Sequence, residues 1–274
     1  MKDYTLKYGK GSVTFALDEA HVTELYGTPV PKIDDIRAAL YATLSSPVSH
    51  EPLESWVNPE DKVALIVSDM SRFWMRQDLV LPHIISYLTD KCDVNQNNIT
   101  IIIANGTHPG GDENELRTLV TDGVYDRIRV VNHDCQAKDL VYIGTTSLGT
   151  EVRINPIAAN ADKVIMLGAC TYHVMAGYGG GRKSILPGIS GLETIRQNHL
   201  HSLDLLAPRS NPLIGNGVTD GNPLNEDMCQ AAAMVKNLFG INLVTNADMQ
   251  LAHIISGDPM KSWQLACHRV DEIY

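Results

Sequence analysis

Apolar runs that empty into glycine and polar residues set the rhythm of this chain. Residues 63–67, 99–104, 128–131 and 164–167 are apolar at nearly every position, the pattern of strands covered on both faces rather than one. Between them, 78–91 and 112–120 read as helices, the second with an acidic first turn that suits the positive end of its dipole. Strands alternating with helices predict a Rossmann-like α/β fold: a mostly parallel sheet with helices on both faces and a ligand site at the strand carboxyl ends. Alternation over 4–17 around Gly9-Lys10-Gly11 predicts a small N-terminal hairpin. A helix is expected to start near Pro31, carrying Ile33, Ile36, Ala39 and Leu40, ahead of a polar connector over 45–59. Residues 141–143 and 151–154 read as an antiparallel pair, and 190–203 has helical spacing of Leu192, Ile195 and Leu203. Further on, 211–222 reads as an ordered Asn/Gly loop, 225–238 as a helix, 241–244 and 251–255 as extended pieces, and 259–273 as a final helix. No repeat, low-complexity tract or linker divides the 274 residues, so a single α/β domain is expected over 1–274.

Composition narrows the partners. With only 3 Phe and 3 Trp, the core must rest on Val, Ile, Leu and Ala. A formal net charge of −10 argues against a general nucleic-acid or anionic-membrane surface. It leaves room for a small basic pocket, which Arg182-Lys183 would supply. Met1-Lys2-Asp3-Tyr4 opens into polar alternation rather than a signal peptide, and no apolar run reaches membrane-spanning length. The 5 cysteines (Cys92, Cys135, Cys170, Cys229, Cys267) form no CxxC pair, which predicts reduced thiols in a cytoplasmic protein.

Candidate chemistry collects where strands end. The first run empties into Ser68-Asp69-Met70-Ser71-Arg72, an acid and a guanidinium placed for a polar substrate or, more plainly, a helix cap and a surface arginine. The second empties into Asn105-Gly106-Thr107-His108-Pro109-Gly110-Gly111. The third ends in Asn132-His133-Asp134, which lacks a glycine-rich turn and reads as structural. The fourth feeds residues 173–199, HVMAGYGGGRKSILPGISGLETIRQNH, held by a strand before and a helix after. That frame lets backbone N–H groups of Gly179, Gly180 and Gly181 converge on an anion. A nucleotide-binding P-loop fails here because Arg182 stands before Lys183, where glycine is needed for close approach to phosphate. A dinucleotide fingerprint fails because Arg182 stands where its third glycine belongs.

Taken together, SDMSR, NGTHP and YHVMAGYGGGRKSILPG followed by QNH resemble the nickel-pincer lactate racemase family, specifically its N-terminal domain. The resemblance covers most of the chain, and the third motif is long and specific. It implies a racemase or epimerase acting on a 2-hydroxy acid, lactate or a related one, by hydride transfer to nickel held by a pyridinium-derived dithiocarboxylate-type mononucleotide. By that resemblance Lys183 tethers the cofactor, His199 gives nickel its imidazole, and His108 and His173 are the paired acid/base groups. Asp69 orients an imidazole, Arg72 holds the substrate carboxylate, and Gly179–Gly181 with Arg182 receive the cofactor phosphate. Cofactor-synthesis proteins are the implied partners.

The residue types suit this chemistry. The α-proton beside a carboxylate is weakly acidic, so a hydride acceptor with two imidazoles near neutral pKa avoids a carbanion. Soft sulfurs with an imidazole suit square-planar nickel, and a guanidinium fork suits a carboxylate. His201 is a rival to His199 as metal ligand, and Tyr178 and Met175 are expected as pocket wall. Phe73-Trp74-Met75 replaces a proline-rich turn and Pro109 replaces arginine, which points to another, larger 2-hydroxy acid. The resemblance implies a second domain that would begin where this chain stops at Tyr274 and is expected to be absent from it, so weak or no turnover is expected from the chain alone. A non-catalytic binding domain for a nucleotide or hydroxy acid is the alternative from another class, and phosphoryl transfer by a variant P-loop is the third.

Overall fold

A computed structural model of the chain describes residues 1–9 and 11–274. Its centre is a six-stranded sheet in the order Leu251–Gly257, Leu238–Thr245, Lys163–Ala169, Val63–Ser68, Ile99–Ala104, Arg129–Asn132. All neighbours run parallel except the first pair. The expected α/β class is therefore present.

Side-chain alternation explains why the strands are apolar throughout. Val63, Leu65 and Val67 join one core with the helices Ile36–Ser45, Gln77–Asp90 and Glu113–Val120. Ala64 and Ile66 face the opposite core, with Ile185, Leu186 and Ile189 and the helices Leu192–Leu200 and Pro223–Ala233. Neither face of residues 63–67 meets water, so apolar side chains fill both. A third cluster gathers Tyr178, Trp263 and Val270 beneath the last helix, Pro259–Ile273.

Strand order fixes where a ligand can enter. The chain passes outward from Val63–Ser68 to Ile99–Ala104 and Arg129–Asn132, then returns to lay Lys163–Ala169 on the other side of Val63–Ser68. Flanking connections at that junction leave on opposite faces and open a crevice above the strand ends. Register brings those ends level: Ser68 stands opposite Ala104, and Ile66 opposite Met166.

Several predicted boundaries move. The first long helix begins at Ile36 rather than near Pro31, because the Asp35 side chain accepts from the Ala38 N–H and caps it there. The connector over 45–59 contains a short helical turn, Leu53–Trp56. The helix expected over 225–238 ends at Ala233, and Leu238 already belongs to a strand. Asn237 adopts a positive φ of 50°, a left-handed conformation that no helix continues. The helix expected to reach residue 203 stops at Leu200. The N-terminal hairpin forms from Lys2–Tyr8 and Gly11–Leu17. Its expected turn residue Lys10 lies outside the described residues. Among the described residues, no helix is long and apolar enough to cross a membrane.

Candidate active site

Above the level strand ends lies a cleft of about 360 Å³ lined by Asp69, Arg72, His108, His173, Lys183 and His199. Residues more than a hundred positions apart meet here because three parallel strands deliver their loops to one edge.

Asp69 follows the strand Val63–Ser68 directly and is buried. Gln77 holds that strand end: its amide accepts from the Ser68 N–H at 3.2 Å and donates to the Ser68 carbonyl at 2.9 Å. One Asp69 oxygen accepts from Ser71 Oγ at 2.6 Å, and the other meets His108 Nδ1 at 2.5 Å. A proton on Nδ1 satisfies that contact and leaves His108 Nε2 with a free lone pair. The ring is half exposed and reachable from the cleft. Asn105 shapes the same loop, its side chain donating to the Pro109 carbonyl and accepting from the His133 N–H. Arg72 stands at the lip, and among the described residues its guanidinium bonds only within its own turn, to Ser71 Oγ at 3.1 Å and the Ser71 carbonyl at 3.3 Å. Its fork is free to receive a carboxylate.

An antiparallel pair, Tyr172–His173 with Ala176–Tyr178, presents the opposite histidine, and Gly215–Asn216 adds a third, parallel strand. No pattern in the sequence predicted strands inside this loop. His173 Nδ1 accepts from the N–H groups of Met175 and Ala176, both at 3.2 Å, and Nε2 lies 2.8 Å from Lys183 Nζ. Burial, helped by the charges of Lys183 and Arg72, drives the His173 pKa down to about 3. Burial likewise brings Lys183 down to about 7, with Arg182 and Arg72 adding repulsion. His199 donates Nδ1–H to the Ile195 carbonyl one helical turn back, at 2.9 Å, so its Nε2 carries the lone pair. Burial lowers its pKa too.

Of the expected anion cradle, Gly179 and Gly180 line the cleft, while Arg182 and two of the glycine N–H groups have partners within the fold. Arg182 is 0% exposed and outside the cleft lining, turned inward to donate to Asn225 Oδ1 and to the carbonyls of Ala176, Tyr178 and Gly179. Its guanidinium lies 3.7 Å from the centre of the Trp263 ring, a cation–π contact in place of a counter-ion. Burial lowers its pKa to about 10, so it remains charged at neutral pH. The Gly179 N–H donates to the Thr171 carbonyl and the Gly181 N–H to Asn242 Oδ1, so neither is spare for phosphate. The glycines also serve close approach. A Cβ on Gly180, which has φ 71°, would stand 3.0 Å from the Ala169 backbone, and one on Gly168 would stand 3.0 Å from Gly180 Cα.

Other candidates resolve by position. His201 is outside the cleft lining, partly buried 3.9 Å from Asp227, whereas His199 lines the cleft. His133 is buried and bridges the Ser190 carbonyl and Asn155, a structural contact. Tyr178 and Met175 do not line the cleft. Tyr178 donates to Asp271 on the last helix, as Tyr172 does, and Tyr172 forms the wall. Gln77, Asn242 and Asp271 carry no motif; only the fold gives them a role.

Comparison with known proteins decides the family. The sequence profile of the lactate racemase N-terminal domain matches residues 8–209. The chain belongs to the lactate racemase N-terminal domain family. Over 282 aligned positions it is 27% identical to the lactate racemase of Thermoanaerobacterium thermosaccharolyticum, with 100% of this chain and 63% of that protein covered. It is also 27% identical to the lactate racemase of Lactiplantibacillus plantarum, covering 98% of this chain and 62% of that one. The chain thus spans less than two thirds of the length of these curated relatives. Among solved structures, the T. thermosaccharolyticum lactate racemase apoprotein superposes with a TM-score of 0.86 at 26% identity, over 99% of this chain and 63% of that one. A Thermotoga maritima protein shares the fold, with a TM-score of 0.67 at 18% identity over 92% of this chain and 61% of that one.

Proposed function

We propose that residues 1–274 act as one α/β domain, the cofactor-bearing part of a 2-hydroxy-acid racemase that uses a lysine-tethered nickel-pincer nucleotide. The observation that carries this reading is the pairing of two imidazoles, His108 and His173, with Arg72, Lys183 and His199 around one cleft. The donor set fits such a group. His199 offers the Nε2 lone pair a metal needs, its other nitrogen fixed by the Ile195 carbonyl. Lys183 offers an amine for covalent attachment. Among the described residues, no three His, Cys, Asp or Glu side chains gather to hold an ion, so the remaining donors must come from the bound group, as pincer sulfurs would. When bound, the group supplies reversible hydride acceptance from C2, which avoids a carbanion beside the carboxylate.

The chain's own residues do the rest. Arg72 holds the substrate carboxylate through its fork. His108 takes the hydroxyl proton at Nε2, with Asp69 fixing the ring and stabilising the imidazolium that forms. His173 serves the other enantiomer. Trp74 lines the cleft beside Arg72 and bounds the substrate side chain, in keeping with lactate or a somewhat larger acid. Cytoplasmic residence and supply by cofactor-synthesis proteins complete the reading.

Protein made beside the cofactor-making enzymes tests it by intact mass, metal analysis and the optical rotation of lactate and longer 2-hydroxy acids. An adduct at Lys183 on the order of hundreds of mass units, with nickel and racemisation, is expected. Unmodified Lys183 without racemisation refutes it, and ligand binding without turnover returns the non-catalytic alternative.

A further inference from the structure

The contact between His173 and Lys183 constrains where protons can be. Nδ1 of His173 receives two backbone N–H groups, from Met175 and Ala176. It must therefore carry a lone pair, and a neutral ring must carry its proton on Nε2. Nε2 faces Lys183 Nζ at 2.8 Å. An ammonium group has three donors and no acceptor, so it cannot receive that proton; a free amine can, through its lone pair. Among the described residues no ion pair brings a carboxylate within 4.0 Å of Lys183, and Arg72 and Arg182 stand near enough to repel a cation. The tautomer is set by the backbone of residues 175 and 176, and the lysine follows from it.

We propose that unmodified Lys183 is held as a neutral nucleophile by His173, and that this chain acylates itself at Lys183 when an activated acyl or thioacyl compound enters the cleft. The inference rests on the reading of Lys183 as an attachment point and adds that no transferase is needed. With a thioester the step balances: Nζ forms a bond to the acyl carbon, the carbon–sulfur bond breaks, and the proton lost from nitrogen leaves with the thiol. His173 acts here as a positioning residue, through the lysine. The same event ends the contact, because an amide nitrogen delocalises its lone pair and no longer accepts from Nε2–H.

The probe is phenyl thioacetate at pH 7, with acetylation read by peptide mass spectrometry and exposed Lys7 and Lys261 as internal references. Lys183 is expected to react about tenfold faster than either. His173→Glu, whose carboxylate would hold an ammonium, should bring Lys183 to the reference rate or below. His173→Gln, which retains a donor, should keep most of the selectivity, and circular dichroism confirms that both variants fold. In [15N]histidine spectra the His173 Nε2–H proton should move upfield on acetylation as its bond is lost. Equal labelling of Lys183 and the references, fast labelling in His173→Glu, or an unmoved Nε2–H signal overturns the proposal. No cofactor enters the test, so it can fail while the racemase reading stands, and the reverse.

Discussion

Single side chains in this cleft act through which nitrogen carries the proton. Asp69 fixes His108 by a contact at Nδ1, so Asp69→Asn should keep the ring in place but favour the wrong tautomer. If the proposed function holds, racemisation by the loaded protein should fall by about a hundredfold or more, with KM for the hydroxy acid little changed. Lys183 shows the cost of such an arrangement. Its folded pKa near 7 lies below the unfolded value near 10.5, so the unfolded chain binds the extra proton between those limits. Stability therefore rises with pH across that window, by about 1.4 kcal/mol per unit. Lys183→Met should melt higher than the unloaded wild type at pH 6, with the difference shrinking as pH climbs toward 10. Thermal unfolding at several pH values checks this.

At the scale of elements, the glycine-rich loop is a packed corner braced from inside by a charge. Arg182→Lys should destabilise the protein by about 3 kcal/mol, since buried carbonyls of residues 176–179 lose their donors and lysine cannot supply the fork. Denaturant unfolding would separate this from a phosphate-binding role, in which lysine largely substitutes for arginine and stability is unaffected. The loop also marks the limit of what the sequence discloses. Apolar runs located the strands and their polar ends, because covering both faces of a sheet leaves a strong local signature. Asp69, His108, His173, Lys183 and His199 could be gathered before any coordinates, through strand ends and motif together. Arg182 could not be placed, because a buried cation and a surface one are written with the same letter. Nor could Gln77 and Asn242, whose work lies in partners far along the chain. Helix limits moved where one residue settled the matter, Asp35 as a cap and Asn237 in a left-handed conformation.

Over the whole molecule, neutral buried histidines set an acid limit. Burial holds His133, His173 and His199 below their ordinary value. Once unfolded they take up protons near pH 6.5, so stability should fall as pH drops below that point, and for His173 the loss continues to about pH 3. A urea midpoint that stays constant from pH 7 to 5 would contradict this. The bond that Tyr172 and Tyr178 share with Asp271 reaches further than either ring. It makes the last helix a strut under the hairpin that aims His173, so torque on that helix is delivered to the imidazole. A cut or a rotation at residues 259–273 would thus detune the cleft without touching any group that lines it.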